Sequence, residues 1–110
     1  MPLFFCRLVP PRSTFPFDIT PDERDVMMRH AEHWRAQAKQ GKAIAFGPVL
    51  DPKGPFGIGI AEYQTEEELR ALWDVDPAVA SGRGFTYEIH PMPSVILREA
   101  QAGRSDQTND

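Results

Sequence analysis

The chain has 110 residues, 41% apolar and 25% charged, with a formal charge of −4. That is enough for one domain around a single two-layer core and too little for two. Its scattered Lys and Arg leave no nucleic-acid footprint, and no apolar run is long enough to cross a bilayer, so neither partner is expected.

Leu3 to Val9 reads as a first strand, aromatic and branched, stopped by Pro10-Pro11. The start of the chain, Met1 to Arg7, lacks the basic, apolar and small-residue regions of a signal peptide. The single cysteine, Cys6, cannot form an internal disulfide, so a reducing cytoplasm is the expected setting. Inside a strand, that thiol reads as buried and inert rather than nucleophilic. Pro11 to Ile19 is an irregular loop whose Phe15 and Phe17 should pack back onto the domain or onto a partner subunit.

Thr20-Pro21-Asp22-Glu23 starts a helix: Thr20 caps, Pro21 takes the first position and Glu23 completes a capping box. The helix is expected to run to about Gln40, with Gly41 as its left-handed stop. Met27, Ala31, Trp34 and Ala38 form the inward stripe, with Val26 and His30 beside it, and Arg24, Arg29, Glu32, Arg35 and Lys39 face solvent. Lys42 to Leu50 and Phe56 to Tyr63 make an antiparallel hairpin around the turn Asp51-Pro52-Lys53-Gly54-Pro55. Gly57 and Gly59 leave one face of the third strand nearly bare, open to a backbone or a ligand.

Thr65-Glu66-Glu67-Glu68 repeats the capping-box pattern and opens a second helix through about Trp73, burying Leu69, Leu72 and Trp73. Asp76-Pro77 ends it, and Ala78 to Gly84 is a small-residue connector with room for one helical turn. Phe85 to Ile89 and Ser94 to Leu97 read as a long, proline-interrupted last strand. Residues 1–98 should form the domain and 99–110 a disordered tail. The order β-α-β-β-α-β is the ferredoxin-like α+β pattern, an antiparallel sheet with both helices on one face. The other face then needs cover, for which a second copy is the simplest candidate: a homodimer.

Several features in this order resemble the YCII-related proteins: the spacing from His30 to Gly41, Gly47-Pro48 at a strand end, and the Gly-rich third strand. The Thr-Glu-Glu-Glu helix start and Asp76-Pro77 after that helix belong to the same set. The resemblance implies a dimeric α/β barrel and a catalytic pair in a cleft, a histidine of the first helix with an aspartate after the second. By position these are His30 and Asp76. Some members of the family eliminate halide from chlorinated hydroxyquinols, so the resemblance points to a lyase or isomerase that needs no cofactor. The proline-rich stretch Pro10 to Thr20 departs from the shortest members and could reshape the mouth of a pocket.

Physical chemistry supports the same pair. A carboxylate bonded to one imidazole nitrogen fixes the tautomer and makes the other nitrogen a better base near neutral pH. Two plainer readings stand beside it: a histidine bonded to a backbone carbonyl at the edge of the core, and a helix-end aspartate. Candidate pocket residues are Trp34, Phe46, Pro48, Asp51 and Gly57. Trp34, Phe46 and Trp73 also suit the core, and lining a cleft they would favour a flat apolar or aromatic small molecule. Asp51 could close a pocket or simply form an Asx turn, the reading its flanking prolines favour. His30 and His33 lack the further ligands a zinc site requires, and the glycines near residue 57 precede no helix, so neither metal nor nucleotide is expected. His33 reads as a surface residue and His90 as an edge-strand or interface residue. The expected function is small-molecule acid–base catalysis. The alternatives are a non-catalytic binding or accessory domain and a module that only dimerises.

Overall fold

A computed structural model describes residues 2–99. In chain order the elements are β1 (Leu3–Val9), α1 (Pro21–Lys39), β2 (Ala43–Val49), β3 (Phe56–Glu62), α2 (Glu66–Asp74), α3 (Pro77–Ala80) and β4 (Thr86–Met92). The four strands form one antiparallel sheet in the order β2-β3-β1-β4, the ferredoxin-like arrangement. The expected tail lies outside the described residues except for Glu99.

Local chemistry sets the helix ends. Thr20 Oγ1 accepts the Glu23 N–H at 3.2 Å, and Glu23 Oε1 accepts the Thr20 N–H at 3.0 Å, a complete capping box with Pro21 in the first turn. After α1 the chain turns at Gly41 with φ +80°, a conformation glycine takes without Cβ strain. At α2 Thr65 accepts the Glu68 N–H, which is one half of the same device.

Pleating divides the strands. Phe4, Cys6 and Leu8 point to the helical layer and are buried with Trp34, Leu69 and Trp73. Leu3, Phe5 and Arg7 point the other way, opposite Glu62, Ile60 and Ile58 of β3. Each edge strand contains a proline, Pro48 in β2 and Pro91 in β4, positions where a missing donor is tolerated.

Two expectations are corrected. Ser94–Leu97 is not strand: the β1–β4 ladder ends with Met92 opposite Leu3, and residues 94–97 lie beyond it without strand geometry. Ala38 is exposed rather than inward, because the last turns of α1 overhang an open cleft.

Candidate functional site

Between α1 and the β2–β3 half of the sheet lies a cavity of about 640 Å³. Its floor and back are aromatic. Trp34 stacks on Phe46 with ring centroids 4.5 Å apart and touches Trp73 at 4.6 Å. Phe46 is able to lie over β3 because residue 59 is glycine; a Cβ there would collide with the Phe46 ring. The bare strand face expected at Gly57 and Gly59 is therefore partly filled from within.

His30 reaches this cavity from the middle of α1, its side chain 20% exposed. Its Nδ1 lies 2.9 Å from both carboxylate oxygens of Asp76, which is fully buried. Asp76 lies two residues beyond α2, in the non-helical geometry that Pro77 favours at the residue before it. Its backbone is extended, φ −57° and ψ 130°, and Oδ1 also accepts the Ala78 N–H at 3.3 Å as the N-cap of α3. One carboxylate thus starts a helix and orients an imidazole. The helix-end reading and the pairing reading of Asp76 describe the same geometry.

Because a carboxylate accepts, the Nδ1–H of His30 donates, and Nε2 carries the lone pair. The aspartate stands behind the imidazole rather than on the cavity wall. Among the described residues, the ionisable side chains on that wall are His30 and Arg35, the latter at the exposed rim. Arg35, expected only to face solvent, therefore borders the cleft.

Trp34, Phe46, Pro48 and Gly57 share the cavity with His30, whereas Asp51 does not. The β2–β3 turn carries Asp51 away, where its carboxylate accepts the Lys53 N–H at 2.9 Å in an Asx turn. It borders a separate shallow hollow with Ser13, Phe17 and Pro52. His33 is half-buried rather than a plain surface residue. Its Nε2–H donates to the Leu72 carbonyl at 3.0 Å and ties α1 to α2. The carbonyl-bonded histidine of this helix is thus His33, one turn along from His30. His90 is exposed on β4, 3.2 Å from Glu88 and stacked beside Phe5.

Cys6 is buried in β1, and burial pushes its thiol up to about 11. That is the chemistry of an inert thiol. Among the described residues no three His, Cys, Asp or Glu side chains gather as a metal site, and no helix is long and apolar enough to cross a membrane.

Spacing offered no sign of Arg12. Its guanidinium bonds both carboxylate oxygens of Glu23 at 2.7 Å, and Nε donates to Asp18 at 2.9 and 3.0 Å. Hydrogen bonds from Arg12, then from the Thr20 N–H, hold the Glu23 carboxyl down to about 2, and Arg12 also lowers Asp18. The usable hint is Glu23 itself, whose capping-box carboxylate can accept a second donor.

No curated protein matches the chain. The family model of the YCII-related domain matches residues 3–93, the whole span from β1 to the end of β4. The chain belongs to the YCII-related family.

Proposed function

We propose that the protein is a small-molecule enzyme in which His30 is the general base and Asp76 orients it. The observation that carries this reading is a partly buried imidazole, tied through Nδ1 to a fully buried carboxylate, on the wall of a largely apolar cavity. Such a wall excludes water and accepts a flat ring, while Nε2 is the polar atom suited to meet an acidic C–H or O–H. In an elimination, Nε2 takes the proton, the C–H electron pair becomes the new double bond, and a halide or similar anion leaves. Asp76 stabilises the imidazolium until it returns its proton to water. In an isomerisation the same nitrogen returns the proton to another carbon.

The reading includes a cytoplasmic setting, consistent with a lone buried thiol, and a homodimer. The sheet face away from the helices carries Phe5, Ile58 and Ile60 around Arg7, which stacks over Phe56 at 4.0 Å and pairs in register with Glu88. A self-complementary two-fold contact suits such a face, because one copy's cation can meet the other's carboxylate.

The deciding experiment is a turnover screen of halogenated and hydroxylated ring compounds with wild type, His30→Ala and His30→Asn. Asn retains a donor for Asp76 and guards against misfolding. Turnover by wild type that both variants lose supports the reading. Binding without turnover in any of the three leaves a ligand-binding domain instead.

A further inference from the structure

The segment between β1 and α1 adds nothing to the sheet, yet Phe15 and Pro16 form part of the cavity wall. Phe15 is buried, its ring edge-on to Phe85 at 5.4 Å, and Phe85 lines the same cavity. Two residues on, Phe17 is 77% exposed.

A single guanidinium holds this segment. Arg12 grips the Glu23 carboxylate with a two-pronged fork, the Asp18 carboxylate through Nε, and the Asp18 carbonyl at 3.1 Å. Thr14 adds a hydroxyl bond to Asp18, and the N–H groups of Phe15, Phe17 and Ile19 close successive turns on Arg12, Thr14 and Pro16. Glu23 is itself locked into the capping box of α1. A planar fork satisfied on three sides holds one geometry, which Lys could not reproduce. The segment is therefore a bolted wall rather than a lid.

We infer that Phe15 is a specificity-determining residue that sets how large a planar ring the cavity accepts beside His30, with Arg12 as its positioning residue. The inference rests on the cavity being a small-molecule site and deepens that reading by naming the residue that limits ring size. The aromatic floor, where half-buried Phe46 stacks on Trp34, favours flat π-systems, and His30 supplies an acceptor for one hydroxyl. A fixed apolar wall discriminates by shape, and a small change in such a pocket moves selectivity by about tenfold or more.

The test titrates phenol and 2-naphthol into the full chain, following tryptophan fluorescence, and compares the ratio of the two Kd values. Phe15→Ala is expected to shift the ratio about tenfold toward 2-naphthol, and Phe15→Trp to shift it the opposite way. Arg12→Lys shifts it in the direction of Phe15→Ala by a smaller factor, while Phe17→Ala leaves it unchanged. Should Phe15→Ala fail to fold, the Trp and Arg12→Lys variants carry the comparison. Ratios within about twofold of wild type in folded Phe15 variants overturn the inference while leaving the cavity a ligand site. Wild type binding neither probe overturns the ligand-site reading and this inference with it.

Discussion

Asp76 serves two groups at once, and two substitutions separate them. Asp76→Asn removes the charge but keeps an oxygen that can still accept the Ala78 N–H, since Asn caps as well as Asp. Asp76→Ala removes both. The charge-assisted bond to His30 Nδ1–H at 2.9 Å is of the kind worth about 1.5–3 kcal/mol, and part of it survives in the neutral amide. The long cap bond at 3.3 Å belongs near the lower part of the range, about 1 kcal/mol. Asp76→Asn should then cost about 1–2 kcal/mol and Asp76→Ala about 3–4 kcal/mol. At roughly 4–8 °C per kcal/mol for a domain of this size, the alanine variant melts at least 10 °C lower. Urea unfolding followed by tryptophan fluorescence measures these losses. In a His30→Ala background the Asp76→Asn change becomes neutral or stabilising, because the buried carboxylate has lost its donor. Imidazole nitrogen NMR provides the independent check that His30 carries its proton on Nδ1. Equal losses for the two Asp76 variants, no coupling to His30, or an Nε2–H tautomer would refute the reasoning.

The Arg12 clamp makes stability depend on acid. Glu23 is lowered from 4.5 to about 2, so its contribution is complete above pH 4.5 and disappears as the pH falls through about 2. The wild-type urea midpoint should drop across that window. Glu23→Gln starts lower at neutral pH and falls less steeply, the residual slope coming from Asp18, whose carboxyl Arg12 also lowers. Parallel curves for the two proteins count against the clamp. Gly59→Ala places a methyl group against the Phe46 ring, and overpacking of this kind costs about 1–3 kcal/mol. Its fluorescence should change as Phe46 is pushed from Trp34; wild-type stability and spectrum together would contradict the packing described.

The elements whose periods are internal to them were readable from residues alone. Thr20 to Glu23 announced α1 and Gly41 ended it, and the alternation in β1 and β3 made the sheet faces visible. His30 and Asp76 stand 46 residues apart, and no spacing rule joins them; their pairing came from family resemblance, with the β-α-β-β-α-β order bringing the two helices side by side. What escaped notice depends on three-dimensional closure. Arg12 meets Glu23 from an irregular loop with no period, so neither its partner nor the contrast between buried Phe15 and exposed Phe17 could be foreseen. His30 and His33 differ by one helical turn, and which of them found the Leu72 carbonyl depended on how α2 lies across α1. Ser94 to Leu97 looked like strand because its composition fits one; the β1–β4 ladder ends before it, at Met92 opposite Leu3.

The prolines in the two outer strands bear on how the molecule behaves in company. Pro48 and Pro91 each interrupt the run of donors that an arriving strand would need, one at either margin of the sheet. Neither margin offers an unbroken template, so stacking one chain's sheet onto the next side by side is discouraged. Association through the outer sheet face, as proposed above, would leave both margins uninvolved. A pair closed in that way would terminate, and the outcome expected of a concentrated solution is small discrete particles rather than fibres.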